Sequence, residues 1–319
     1  MMKNLSVIIP VYNSQDNLPL LIESLTSVLN NNIEEYEIIL VNDGSKDQSR
    51  QVIENLLNQY PGIRMFELAK NYGQHNAILC GIREARNDII CTMDDDLQHP
   101  PEAIPLLLKK LEEGYDVVYG VPKTEKHAVW RNLSSKLIKL ILKKIMSVST
   151  NQEISAYRVF RTKIRDSFTS YRGDFVSIDV LLSWGTTRFS SVRVDFNERH
   201  SGKSQYTLKK LLNHALTLIT GFSILPLQLS SFIGFISMLF GLAILIFVFV
   251  RYLIHGGVVP GFTFLASAMA IFSGVQLFAI GMIGEYLGRL FSRTLGQPTY
   301  TIRSYDQSEK AIENEPGEK

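Results

Sequence analysis

Cysteine is almost missing from this chain: Cys80 and Cys91 are the only two, both in its polar N-terminal part. That scarcity excludes a disulfide scaffold and predicts free, buried thiols in a reducing compartment. A large excess of one charge is also missing. The formal net charge is only +2, too small to argue for a nucleic-acid partner. His75 and His99 lack the spacing of a zinc site and, lying beside loops, read first as structural. Trp130 and Trp184 read as packing residues. There is no internal repeat. The first apolar run, residues 5–11, is too short and too strand-like for a signal peptide, and no cleavage site follows it.

The most telling absence is of charge late in the chain. Residues 211–250 contain no Asp, Glu, Lys or Arg, and neither do residues 252–284. Each run exceeds the roughly 20 residues that a helix needs to cross a bilayer. The expected spans are 229–250 and 262–284, joined by the hairpin His255-Gly256-Gly257-Val258-Val259-Pro260. Two buried helices of a soluble protein are the alternative, but a domain of this size would struggle to cover them. Arg199, Lys203, Lys209 and Lys210 precede the first span and Arg289 and Arg293 follow the second, against Arg251 alone in the hairpin. This bias predicts an inner-membrane protein with both termini and the large polar region in the cytoplasm.

The organisation expected from these features is a cytoplasmic domain over residues 1–205, a juxtamembrane interfacial helix over 206–228 and a two-helix transmembrane hairpin over 229–288. A cytoplasmic tail over 289–319 follows. From Ser304 onward the tail lacks apolar periodicity and reads as disordered. Gly274, Ala279, Gly281 and Gly284 in the second span would permit close helix contacts, so a homo-oligomer is open.

In the polar region short apolar runs alternate with amphipathic helices. Residues 5–9, 36–41, 63–67, 89–93 and 116–119 read as strands; helices are expected from Asn17, as its cap, from Asp47, near 74–85 and near 101–113. This is an α/β, doubly wound pattern, in which ligands bind at the carboxyl ends of the strands. Four polar clusters fall at those ends: Pro10 to Asn13, Asn42-Asp43-Gly44-Ser45, Lys70 to His75, and Asp94 to Gln98. Any one of them could be an ordinary turn. Together they suggest a nucleotide and its cation. Three adjacent acids repel one another, and a hard divalent metal offsets that repulsion. Alternate residues of an extended segment point the same way, so Asp94 and Asp96 are the pair expected to converge. An acidic turn capping the next helix is the competing reading. Arg131 opens a basic stretch, residues 131–144, whose apolar residues recur at helical spacing; it reads either as an interfacial helix on an anionic membrane or as a helix packed on the domain.

Ile8-Ile9-Pro10-Val11-Tyr12-Asn13, Val41-Asn42-Asp43-Gly44-Ser45, Asn71-Tyr72-Gly73-Gln74-His75 and the run from Met93 to Glu102 resemble, in order, the motifs of family two glycosyltransferases with the GT-A fold. The stretches from Arg199 to Tyr206 and from Gly281 to Arg289 resemble elements of that family's polyprenyl-phosphate branch. The resemblance implies a Rossmann-like catalytic domain that moves a sugar from a nucleotide-sugar donor to the phosphate of a polyprenyl lipid. It implies a divalent metal, Mg or Mn, on Asp94 and Asp96 with help from Gln98. It also implies a donor site of Pro10, Tyr12, Asn13, Asp43, Asn71 and Gly73, with Asp95 on the ribose or sugar. Glu153 and Arg158 fall where related enzymes carry an acid and an arginine near the reacting centre, although surface pairing is the other reading for each. Arg131, Arg199 and Lys203 are suited to the acceptor phosphate by their charge and their expected place beside the membrane.

Two departures from the family pattern bear on the donor. Ser14 stands where an acid often follows the Tyr-Asn pair, and Gly120-Val121-Pro122-Lys123 lacks an arginine common after the fifth strand, a charge that Lys123 or Arg131 could supply. The expected activity is single, inverting transfer from a UDP-sugar to undecaprenyl phosphate for envelope glycan synthesis. A processive polysaccharide synthase would carry more spans and a Gln-x-x-Arg-Trp motif, and no Arg-Trp pair occurs. An inactive membrane scaffold would have no physical need for clustered acids.

Overall fold

The computed structural model describes residues 4–123, 154–173, 175–197, 225–255 and 261–307. Arg131, Glu153, Arg199 and Lys203 lie outside the described residues, as do Trp130, the basic stretch 131–144, residues 206–224, the hairpin residues 256–260 and the tail 308–319. The chain forms two compact units, Met1–Leu212 with Pro298–Lys319, and Asn213–Gln297.

The first unit is built on four short apolar runs. β1 (Leu5–Val11), β2 (Tyr36–Asn42), β3 (Ile63–Leu68) and β4 (Ile89–Thr92) are almost wholly buried. They pair in parallel, with β1 between β2 and β4, and β3 outside β2. Strands covered on both faces can be apolar throughout, which is why these runs show little alternation. α1 (Leu18–Asn32), α2 (Ser49–Gln59) and α4 (Ile104–Glu112) bury their apolar sides in one core with Leu5, Val7, Ile9 and Val11. α3 (Gln74–Glu84) packs on β1 with its Gly81 against Ile8, where an added Cβ would lie 2.4 Å from Ile8 Cγ2. That close approach seats the start of α3 at the carboxyl edge of the sheet.

Helix starts depart from expectation in their caps. The Asn17 side chain caps nothing; the N–H groups of Asn17 and Leu18 donate to the Ser14 carbonyl at 3.1 and 3.2 Å. Asp47 is the residue that serves α2, its Oδ1 accepting the Ser49 N–H at 3.0 Å.

Three strands escape the sequence reading. β5 (Val117–Pro122) does not join β4; β6 (Arg158–Arg161) lies antiparallel between them. After α5 (Ile178–Gly185), β7 (Phe189–Val194) pairs in parallel with β5. The last strand follows the two long helices, α6 (Leu225–His255) and α7 (Phe262–Thr294), of the second unit. It is β8 (Ile302–Gln307), antiparallel to β3, and it completes the order β7-β5-β6-β4-β1-β2-β3-β8.

Residues 304–307 are thus ordered, against the expectation of a disordered tail from Ser304. An edge strand needs only one good contact side. Tyr305 provides it, with its ring 4.8 Å from that of Phe66 and the Arg64 guanidinium 5.2 and 5.4 Å from the two ring centres. Ser304 Oγ also donates to Glu67 Oε2 at 3.1 Å.

In the second unit α6 and α7 pack on each other. Segments Pro226–Ile254 and Ile271–Thr294 are long and apolar enough to cross a membrane, with mean hydropathy 2.8 and 1.3. Their apolar side chains face outward: Leu245, Phe247 and Leu277 are 64%, 63% and 69% exposed. Such an exposed apolar surface fits a membrane span and does not fit the buried core of a soluble domain. The helices run past both expected spans, and charge returns on α7 with the Glu285–Arg289 ion pair at 2.7 Å.

Candidate active site

The carboxyl ends of β1 to β4 enclose a pocket of about 280 Å³ lined by Pro10, Val11, Tyr12, Asp43, Asn71, Gly73, Gln74, Asp94, Asp95 and Asp96. Five residues predicted for the donor (Pro10, Tyr12, Asp43, Asn71 and Gly73) and all three clustered acids therefore meet. Tyr12 is 44% exposed at the edge of the pocket. α3 begins at this pocket without a side-chain cap, turning the positive end of its dipole toward it.

Asp43 fixes the pocket's far wall. It is buried, and its two carboxylate oxygens accept the N–H groups of Tyr72 at 2.7 Å and Gly73 at 2.8 Å. Burial pushes its pKa up, and the two amides oppose that shift. The next residue makes the approach possible. Gly44 has φ +65°, and a Cβ there would sit 2.7 Å from the Asn71 nitrogen and 2.7 Å from the Lys70 carbonyl carbon. Backbone cannot move aside as a flexible side chain can. Gly44→Ala is therefore expected to destabilise the protein by more than about 1 kcal/mol and to weaken nucleotide binding; thermal melting and nucleotide titration check both.

The acid loop is held at each residue. Asp94 Oδ1 accepts from Gln74 Nε2 at 2.6 Å, and its backbone N–H donates to His99 Nδ1 at 3.0 Å. His99 is buried against Tyr157, ring centres 5.0 Å apart, and burial lowers its pKa to about 4. It is a neutral brace, in line with the structural reading of that histidine. Asp96 Oδ1 accepts the Gln98 N–H at 3.1 Å, closing a tight turn in which Leu97 takes φ +62°. Asn197 holds the turn from outside, its N–H donating to the Gln98 carbonyl at 3.0 Å and its Nδ2 to the Leu97 carbonyl at 3.2 Å. Gln98 itself lies outside the pocket lining.

Asp95 faces another way. Its Oδ2 accepts the Tyr12 N–H at 3.2 Å and the hydroxyl of Ser14. Burial raises its pKa to about 6; the Ser14 and Tyr12 bonds oppose the shift, while Asp94 and Asp96 add to it. Ser14, where the resemblance leads one to expect an acid, thus stands opposite an acid.

Other predicted residues are placed differently. Asn13, at φ +55°, spends its side chain on the Lys46 N–H, with Oδ1 accepting at 2.8 Å, and does not line the pocket. Arg158 is only 1% exposed. Its Nη1 pairs with Asp179 and its Nε donates to Thr92 Oγ1 at 3.0 Å, so the expected place near the reacting centre is corrected to a place in the core. A surface pairing is equally ruled out for it by that burial. Lys123 pairs with Asp195 at 2.5 Å. His75 Nδ1 faces the Ile178 N–H at 3.5 Å, and Trp184 meets Tyr171 edge-on while half exposed. Cys80 and Cys91 are free and buried, and burial raises both thiols, Cys80 to about 12. Val11 and Gln74 also line the pocket; both lay within the polar clusters expected at the strand ends but outside the predicted donor set.

The donor set suits a hard divalent cation. Among the described residues no three His, Cys, Asp or Glu side chains form a closed metal cage. Mg²⁺ and similar ions do not need one, because one or two carboxylates plus substrate phosphates complete the shell. Asp94 and Asp96 at the pocket edge offer that pair.

A mainly parallel sheet with an acidic loop and a cleft at its carboxyl edge is the arrangement of the GT-A class of glycosyltransferase. Residues 6–171 match glycosyl transferase family 2. The chain belongs to that family and is a glycosyltransferase. It is 34% identical over 314 residues to undecaprenyl-phosphate 4-deoxy-4-formamido-L-arabinose transferase of Pseudomonas syringae pv. syringae, covering 97% of this chain and 93% of that protein. The protein of the same description from Yersinia enterocolitica is 34% identical over 321 residues, covering 99% and 98%. Among solved structures, glucosyl-3-phosphoglycerate synthase from Mycobacterium tuberculosis in complex with Mn²⁺, UDP and phosphoglyceric acid shares the fold. Its TM-score is 0.51 at 15% identity, over 68% of this chain and 76% of that one.

Proposed function

We propose that this enzyme transfers one sugar from a UDP-sugar to undecaprenyl phosphate at the cytoplasmic leaflet, with inversion at the anomeric carbon. The observation that carries the reading is the pairing of Asp94 and Asp96 with Tyr12, Asp43 and Asn71 in one cleft. Two further findings support it: the chain carries two membrane-length apolar helices, and relatives named for undecaprenyl phosphate match it over almost its whole length. Tyr12, Pro10 and Asp43 would hold the base and ribose, and Asn71 and Gly73 the neighbouring part of the donor. Asp94 and Asp96 would hold Mg²⁺ or Mn²⁺, with Gln98, outside the pocket lining, orienting the shell, and the ion would supply a counter-charge for the departing nucleoside diphosphate. The M. tuberculosis neighbour with Mn²⁺ supports a divalent ion of this kind.

A phosphate oxygen of the lipid forms the new bond to the anomeric carbon as the bond to the nucleoside diphosphate breaks. That oxygen is already ionised, so no residue is required to remove a proton from it. Positioning of the two substrates is the main task left to the protein. Arg131, Arg199 and Lys203 are the residues proposed for the acceptor phosphate, Glu153 for a supporting role near the reacting atoms, and the basic flanks of the helices for keeping the domain on the cytoplasmic side.

The test is incubation of the purified protein with undecaprenyl phosphate, Mg²⁺ or Mn²⁺ and a panel of UDP-sugars that includes UDP-linked 4-deoxy-4-formamido-L-arabinose. One donor is expected to raise the lipid mass by a single sugar, and chelation of the metal to stop it. An unchanged lipid mass with every donor would overturn the reading, and a ladder of masses would mean a processive enzyme.

A further inference from the structure

We propose that Ser14 and Asp95 form a latch that fixes the spacing of the two pocket walls, with Asp95 a positioning residue and not a ligand of the cation. The inference rests on the reading of the pocket as a nucleotide site. The two residues are 81 positions apart in the chain, yet the Ser14 hydroxyl donates to Asp95 Oδ2. The same oxygen accepts the Tyr12 N–H at 3.2 Å. One carboxylate oxygen thus ties the loop after β4 to the loop after β1, two strands that are neighbours in the sheet.

Both ends of the latch are built. Ser14 is 9% exposed, and its own N–H donates to Ser49 Oγ at 2.8 Å, at the first residue of α2. Its carbonyl accepts the N–H groups of Asn17 and Leu18 at the start of α1. The hydroxyl is therefore aimed from a point where three elements meet. On the other side, Asp95 is flanked by two acids turned to different work. Asp94 engages Gln74 and Asp96 engages the Gln98 N–H, while Asp95 reaches back to β1. The latch sets Tyr12, on one wall, against Asp94 and Asp96 on the other, so the distance between a stacked base and a cation-bound diphosphate depends on it.

The chemistry of the bond makes its two halves exchangeable. A hydroxyl facing a carboxylate closes the gap, and so does a carboxylate facing a hydroxyl, with the same number of side-chain atoms spanning the two backbones. Two carboxylates would repel and push the walls apart. Two hydroxyls would be too short to meet and would leave the Tyr12 N–H without its charged acceptor.

The test is a cycle of four full-length proteins: wild type, Ser14→Asp, Asp95→Ser and the double exchange. For each, the Kd of UDP in the presence of Mn²⁺, the affinity for Mn²⁺ alone by electron paramagnetic resonance, and the melting temperature without nucleotide are measured. Each single change is expected to weaken UDP binding about tenfold and to lower the melting temperature. The double exchange restores the hydroxyl–carboxylate bond but not the acceptor of the Tyr12 N–H, so it is expected to bind UDP more tightly than either single variant though below wild type, a non-additivity that marks direct coupling. Mn²⁺ affinity of Asp95→Ser is expected to stay within about threefold of wild type. The proposal is overturned if the effects of the two single changes simply add in the double, if Asp95→Ser binds UDP as wild type does, or if it loses Mn²⁺. Should wild type itself bind no UDP, the nucleotide reading fails, and the melting temperatures still decide whether the latch exists.

Discussion

Asp94→Asn and Asp96→Asn should each lower the rate of sugar transfer by about a thousandfold, equivalent to about 4 kcal/mol in the barrier, while the protein stays folded. In the proposed reaction the leaving nucleoside diphosphate gains negative charge as its bond to the sugar breaks, and a cation held by these two carboxylates would be the main counter-charge in the cleft. Asparagine keeps the shape and the acceptor oxygen. In Asp94→Asn the Gln74 Nε2 donor still finds Oδ1, and in Asp96→Asn the Gln98 N–H still finds Oδ1. What is lost is charge. In the absence of metal, removing one of three adjacent negative charges relieves repulsion, so the melting temperature should hold or rise slightly. Added Mn²⁺ should raise the melting temperature of the wild type, by stabilising the folded state that binds it, and should do so much less for either variant. Transfer at the wild-type rate in both variants would remove Asp94 and Asp96 from the chemistry.

Much of this site was legible because its parts are local. Each wall is a short motif directly after an apolar strand, and the parallel strands set those motifs side by side, so residues such as Asp43, Asn71 and Asp94 converge without any further information. The helices that carry the motifs were legible from their spacing. The long apolar helices were legible for a different reason, the sheer absence of charge.

What could not be read depends on partners far away in the chain. β7 and β8 are the two edges of the sheet, each needing only one satisfied side, and so neither carries a buried strand's apolar signature. β8 looks like a polar tail until Tyr305 meets Phe66 and Arg64, 241 positions from Tyr305. β6 begins and ends in arginine, which argues against a central strand unless a counter-charge is waiting for Arg158. That counter-charge is Asp179, on another element. Asp95 is the acid whose surroundings were least legible: the motif suggests ribose or sugar, while its bonds to the Tyr12 N–H and the Ser14 hydroxyl depend on residues 83 and 81 positions away.

Removal of one partner from the Arg158–Asp179 pair is expected to be the most damaging change to stability outside the apolar core. Arg158 is 1% exposed and the side chain of Asp179 11%. Asp179 Oδ1 also accepts from Tyr119 OH at 3.0 Å, and Thr92 Oγ1 accepts from Arg158 Nε and donates to the Ala156 carbonyl at 2.8 Å. Arg158→Met strands a carboxylate in that setting and Asp179→Asn strands a guanidinium; each should cost about 3–5 kcal/mol. For a domain of this size that is a fall of about 10 °C in melting temperature. The double change Arg158→Met with Asp179→Leu removes both charges and should melt above either single variant, because an uncompensated buried charge costs more than the absent pair. Function should follow through Thr92, which sits two residues before Asp94 and loses its guanidinium partner. Transfer by folded Arg158→Met, measured well below its melting point, should therefore fall mainly in kcat. A raised KM for donor or lipid in a protein that melts like wild type would instead return Arg158 to the substrate phosphates.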